Sequence, residues 1–252
     1  LVEVLAGAGT PEAIQVLVAT STRFKQRSVR EFAETCVTRL AEERGWTADE
    51  LADRSIPSGG LEEGGVMELE VGEELKTYAV RLAPDMTVRI VNPTGKEVKS
   101  LPAGTDAATK EAKALLSALK KTVKTVTAQQ QTRLYAAMMA ERIWKRDDWQ
   151  SDLNAHPIMS RLTDRVVWRA LAEDRTILTT FRPTPEGDLF DVEGDDVDIS
   201  AAKYIDIAHS ATMPAAQRES WQTHMTDFEI TPLFAQFSRP VLELTPTQRG
   251  ET

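Results

Sequence analysis

Apolar residues recur at spacings of three and four through the first fifty positions. Val29, Phe32, Cys36 and Leu40 form one such stripe, which predicts an amphipathic helix because those positions share a face at 3.6 residues per turn. Its end is expected at Gly45, where a left-handed residue closes a helix without a Cβ penalty. Upstream, Thr10-Pro11-Glu12 reads as a helix start, with Thr as cap, Pro in the first turn and Glu near the positive helix end. Downstream, Thr47-Ala48-Asp49-Glu50 is a capping box for a short helix that stops before Pro57. Residues 1–57 thus read as short paired helices of a repeat-like kind, too few to establish a period.

The pattern changes after the glycine-rich stretch Ser58-Gly59-Gly60 to Gly64-Gly65, which reads as a linker. Val66–Val71, Tyr78–Leu82 and Thr87–Val91 are short β-rich runs separated by polar turns, an antiparallel meander with one face buried. Residues 106–146 return to helical spacing. Ala112, Leu115, Leu116, Leu119, Val123 and Val126 form a stripe that Leu134 and Met138 resume. Gln130 falls on that seam, either as a buried amide or as the point where one helix gives way to another. Asp147 caps a short helix with Trp149 and Leu153, and Pro157 opens another bearing Ile158, Leu162 and Val166. Strands are expected at Ile177–Phe181, near Leu189, at Val197–Ile199, Tyr204–Ile207 and Val241–Leu244. A helix from Pro214 carries Trp221, Met225 and Phe228. Strands and helices come in blocks, which favours an α+β fold over a doubly wound sheet.

Charge sharpens this picture at one place. The chain of 252 residues carries a net charge of -9, yet residues 106–146 hold nine Lys and Arg against three Asp and Glu. Lys110, Lys113, Lys120, Lys121 and Lys124 cluster on one helical face, roughly opposite the leucine stripe. Lys113, Lys120, Lys121 and Lys124 are the candidate docking face. Such a face is either solvated or docks an acidic partner. Nucleic acid is disfavoured, because the flanking regions are acidic and no aromatic side chains for base stacking lie nearby. No run approaches the length of apolar residues that spans a membrane. A lone cysteine, Cys36, allows no internal disulfide, in keeping with a reducing compartment such as the cytoplasm. The start, Leu1-Val2-Glu3-Val4, has neither an initiating Met nor a basic region and reads as a cut into a longer chain.

No catalytic, cofactor or metal site is legible. Gly7-Ala8-Gly9 suggests a dinucleotide loop, but Glu12 stands where that fingerprint needs its third glycine and would repel a pyrophosphate. The acidic stretch Asp188, Asp191, Glu193, Asp195, Asp196 and Asp198 fails as a calcium loop, since Asp196 and Ala202 replace the required Gly and Glu. It reads instead as a solvated hairpin. His156, His209 and His224 are scattered, and Cys36 has the spacing of a core residue.

Several runs resemble a known family. They are Trp46-Thr47-Ala48-Asp49-Glu50-Leu51-Ala52-Asp53-Arg54 with Ile56-Pro57, Lys99-Ser100-Leu101-Pro102, His156-Pro157 leading to Val167-Trp168, and Thr231-Pro232-Leu233-Phe234 through Gln236-Phe237-Ser238-Arg239-Pro240. Together they resemble the uncharacterised C-terminal domain of large bacterial proteins of the MolR-like, molybdate-metabolism-regulator type, often WGR-associated and preceded by HEAT-like helices. The resemblance implies a HEAT-like segment at 1–57, an α+β domain at 66–252 and a regulatory or scaffolding role, with no catalytic residues to carry over. Arg44-Gly45-Trp46 is in the wrong order for the WGR module itself. The leading reading is a non-catalytic interaction domain whose partners are the other domains of its parent and an acidic protein surface. The alternatives are an enzyme whose groups, such as His156, Asp147 and Arg239, converge only in three dimensions, and a weak nucleic-acid contact through the basic helix.

Overall fold

The computed structural model describes residues 2–238, apart from the side chain of Arg23. Arg239 and the strand expected at 241–244 lie outside the described residues. The fold is α+β, with every strand pair antiparallel. Two compact units divide it. The first is the chain up to Gln130 with Gln150–Arg161, and the second is Gln131–Trp149 with the chain from Leu162 onward. No helix among the described residues is long and apolar enough to cross a membrane.

The first unit opens with α1 (Val2–Ala8), α2 (Pro11–Arg23), α3 (Arg27–Glu42) and α4 (Ala48–Arg54). Thr10 caps α2 by accepting the Ala13 N–H, and Thr47 and Glu50 form the complete capping box of α4. Ile14, Leu17, Cys36, Val37, Leu40 and Leu51 make the core of this helical segment. The buried face of α3 runs through Ala33 rather than Phe32, which is 44% exposed. An alanine at the buried position lets neighbouring helices approach closely, and the larger ring is displaced to the rim.

The stretch 58–65 is a series of bonded turns. Leu61 is buried, Glu62 donates to Val66 O, and Leu82 donates to Gly65 O. Gly59 has φ +68, and a Cβ there would fall 2.9 Å from Leu119 Cδ1, so both the backbone and the space demand glycine. The meander follows as β1 (Val66–Val71), β2 (Lys76–Leu82) and β3 (Val88–Val91), with a short β4 (Glu97–Val98) added at its edge. Met67, Leu69, Val71, Val80, Leu82 and Ile90 are buried, while Glu68, Glu70, Arg81 and Arg89 face water.

α5 (Ala107–Met139) is one continuous helix of 33 residues. Gln130 is therefore the buried amide. Its Nε2 donates to Gln15 Oε1 at 3.3 Å, and Gln15 in turn donates to Ala52 O and Ser55 Oγ. Leu115 departs from the expected stripe and is 47% exposed. At the far end of this unit a π-helical turn, Gln150–Asn154, precedes His156.

The second unit holds a sheet in the order β5-β9-β6-β7-β8. Its strands are β5 (Ile143–Lys145), β6 (Trp168–Leu171), β7 (Ile177–Pro183), β8 (Leu189–Phe190) and β9 (Tyr204–Ile207). The helices are α6 (Arg146–Trp149), α7 (Ser160–Thr163), which straddles the unit boundary, and α8 (Ala215–Asp227). Three expectations need correction. The helix at 106–146 stops at Met139, because Glu141 turns left-handed at φ 49 and Arg142 donates back to Ala137 O. Helix after Pro157 is confined to Ser160–Thr163, although Ile158, Leu162 and Val166 are all buried. Val197–Ile199 forms no strand, and the acidic hairpin is closed by the bridge Phe190↔Asp196 with Asp191 N donating to Asp195 O and Val197 N to Leu189 O.

The central strand β6 is buried on both faces. On one, Trp168 pairs in register with Phe181 and Ile207. Trp144, Trp149, Trp168 and Phe181 meet edge to face with ring centroids 5.4–5.7 Å apart. The opposite face is polar.

Candidate functional site

On that polar face Arg169 stands in register with Thr180 on one side and Asp206 on the other. Arg169 Nε and Nη2 donate to Asp206 Oδ1 and Oδ2 at 2.7 and 2.6 Å, and Nη1 donates to Thr212 Oγ1 at 3.0 Å. Both side chains are nearly excluded from water, so the fork-shaped guanidinium satisfies a carboxylate that has no solvent. Burial pushes the Asp206 carboxyl up and the Arg169 charge pulls it back.

α8 lies across the neighbouring positions of β7. Gln217, Trp221 and His224 share a helix face, and Thr180 and Arg182 share a strand face. Trp221 Nε1 and Gln217 Nε2 both donate to Thr180 Oγ1, at 3.0 and 3.3 Å. Arg182 Nε approaches His224 Nε2 at 3.4 Å, and its Nη1 donates to the carbonyls of Asp164 and Pro183. A guanidinium only donates, so His224 Nε2 must be the acceptor, and its Nδ1–H donates to Val192 O at 2.9 Å. His224 is thus neutral, its ring stacked on Phe228 and edge-on to Trp221. Burial lowers its pKa, and the Arg182 charge lowers it further. Phe228, expected on the apolar face of α8, is 55% exposed, and the stacking accounts for its position.

The other histidines are likewise committed. In the first unit His156 Nδ1 accepts from Ile158 N and Met159 N, which leaves Nε2 to donate to Ile56 O at 3.0 Å. Burial holds its pKa below the ordinary value. His209 Nδ1 caps the 3-10 turn Ser210–Thr212 by accepting from Ala211 N. His156 folds into the first unit and Asp147 into the second, while Arg239 lies outside the described residues. Gly9 is left-handed between α1 and α2, as a helix–helix turn requires. The acidic stretch turns back on itself, Asp191 Oδ1 accepting from Glu193 N and Asp195 N. Among the described residues no group of three or more His, Cys, Asp or Glu is placed to hold a metal ion.

The lysine face is open to solvent. Lys110, Lys113, Lys120, Lys121 and Lys124 are all exposed on α5, while Ala112, Leu116, Leu119, Val123 and Val126 are buried on its other side. Among the described residues none of these five lysines forms an ion pair. Thr109 fixes the start of the helix, accepting from Gly72 N while its own N–H caps onto Asp106. The sequence singles out this face; it does not single out Arg169, Asp206, Thr180 or Arg182. A charged residue inside the apolar run Trp168–Leu171 was the available signal, but its partner stands 37 positions away.

These features define an α+β chain of two compact units with an exposed basic face on α5. Residues 95–252 match the family described as Domain of unknown function (DUF4132), and the chain belongs to that family. It is also 32% identical over 234 residues to the uncharacterized protein YehI of Escherichia coli K12, a match covering 90% of this chain and 19% of that protein. The chain therefore spans about a fifth of the length of that curated relative. No solved structure matches.

Proposed function

We propose that this DUF4132 chain is a non-catalytic interaction module that docks an acidic protein surface through Lys113, Lys120, Lys121 and Lys124. One observation carries the reading: an exposed row of ammonium groups without ion-pair partners, presented by a helix whose opposite side is locked into a core. Two histidines, His224 buried and His156 partly buried, engage both ring nitrogens internally, which also favours a module over an enzyme. The relative's much greater length supports a large multidomain parent. In this proposal that parent is cytoplasmic and of the MolR-like, WGR-associated kind, with residues 1–57 as a HEAT-like segment leading into the α+β domain at 66–252.

Calorimetric titration with poly-L-glutamate tests the docking face. Binding is expected in the micromolar range at low salt, and Lys120→Glu with Lys124→Glu should weaken it at least about tenfold without moving the melting temperature. Equal binding by both proteins, or none by either, would sink the proposal.

A further inference from the structure

We infer that the acidic surface fitting the lysine face is carried by a second copy of this chain, on the hairpin that follows β8. This rests on the docking role proposed above and names its occupant. Glu193, Asp195 and Asp196 are exposed on that hairpin, and Glu186 and Asp188 on the turn just before β8. Asp191 and Asp198 are not available in the same way, because their carboxylates bind the backbone N–H groups of their own turns. No described cation forms an ion pair with the five exposed carboxylates. A row of carboxylates and a row of ammonium groups thus stand unpaired on one polypeptide.

The dimensions agree. Lys113 to Lys124 spans about 16 Å of helix, and the chain from Glu193 to Asp196 reaches at most about 11 Å, so the turn fits within the lysine row. The acidic hairpin is also held firmly enough to present its charges. Val192 O accepts from His224 Nδ1, Val192 packs on the cluster around Trp221, and Gly194 lies against the Phe228 ring. The net charge of -9 on each copy opposes approach at long range. At physiological salt the screening length is about 8 Å, so the facing rows decide the energy at contact. Because a lysine face meets a hairpin, two copies either exchange both contacts about a two-fold axis or join head to tail, leaving one lysine face and one hairpin open at the ends. The resulting association is weak, dependent on concentration and sensitive to salt.

Sedimentation velocity of the 252-residue chain at tens to hundreds of micromolar tests this. The average mass is expected to rise with concentration in about 0.1 M salt and to stay monomeric in about 0.5 M. Lys120→Glu/Lys124→Glu and Asp195→Lys/Asp196→Lys should each be monomeric alone. An equimolar mixture of the two should associate again, since the lysine face of one variant and the acidic hairpin of the other are intact. A chain monomeric at low salt, or association indifferent to either reversal, would overturn the inference. If the monomeric chain still binds poly-L-glutamate through its lysines, only the identity of the occupant fails. If that binding is absent too, the docking role fails with it.

Discussion

Gln236 pairs with the backbone of Val167 as a neighbouring strand would. Its Oε1 accepts the Val167 N–H at 3.0 Å, and its Nε2 donates to Val167 O and Ala208 O at 2.8 and 2.7 Å. One side-chain amide thus satisfies backbone groups at the end of the sheet where β6 begins and β9 ends, and it brings Phe237 onto the Trp221 cluster. Gln236→Ala leaves the Val167 N–H and the Ala208 carbonyl short of a partner in the interior. Each orphaned group costs about 1–3 kcal/mol. Denaturant unfolding should accordingly show Gln236→Ala less stable by about 2 kcal/mol or more, and a loss within error would mean that water replaces the amide.

Arg169 and Asp206 respond differently to single and paired replacement. Arg169→Met alone strands a buried carboxylate and should cost about 3–5 kcal/mol, whereas Arg169→Met with Asp206→Leu removes both charges and should recover most of that. A double-mutant cycle reads the difference. Additive losses would show that the two side chains do not depend on each other.

His156 and His224 set the pH response. Burial is the main cause of both lowered pKa values, with Arg182 adding to it at His224. A histidine whose pKa is lower folded than unfolded stabilises fully above the unfolded value of about 6.5, and that stability is lost as pH falls below it. Asp206, raised by burial, acts in the opposite sense, its contribution being lost as pH rises from the unfolded carboxylate value of about 4 through the higher folded one. The urea midpoint should therefore fall steadily from about pH 7 to about pH 5.5. A flat or rising midpoint over that interval contradicts the neutral assignments.

The helical segment reaches α5 through Gln15 and Gln130, and Gly59 fits against Leu119. Cleavage within 58–65 should leave the two pieces associated, and residues 66–252 expressed alone should melt at a lower temperature than the full chain. A fragment as stable as the parent would instead make residues 1–57 an independent domain.

Local signals in this chain were readable where the physics is local. The Thr47–Glu50 capping box, the alternation of β1 to β3 and the opposed faces of α5 each depend on neighbours within a few residues, and each is present. β6 was missed because both its faces are buried, so Trp168–Leu171 shows no alternation. Phe32 and Leu115 were assigned to the core because periodicity cannot separate a buried stripe from its rim. Phe234 and Phe237 stand three positions apart on one aromatic run, yet Phe237 is 8% exposed while Phe234 is half-buried, edge-on to Tyr135. The polar face under α8 could not be read at all, since Arg169, Thr180, Asp206 and Trp221 meet only through strand register and helix placement.

The central claim is that the lysine face recognises acidic protein rather than polyphosphate backbone. Fluorescence anisotropy of the chain with labelled poly-L-glutamate, duplex DNA and RNA at two salt concentrations measures this directly. The account predicts lysine-dependent micromolar binding to the acidic peptide and no more than nonspecific binding to either nucleic acid, given the net -5 and -10 flanking the basic segment. Submicromolar binding to DNA or RNA that vanishes in Lys120→Glu/Lys124→Glu would contradict it and make this chain a nucleic-acid module.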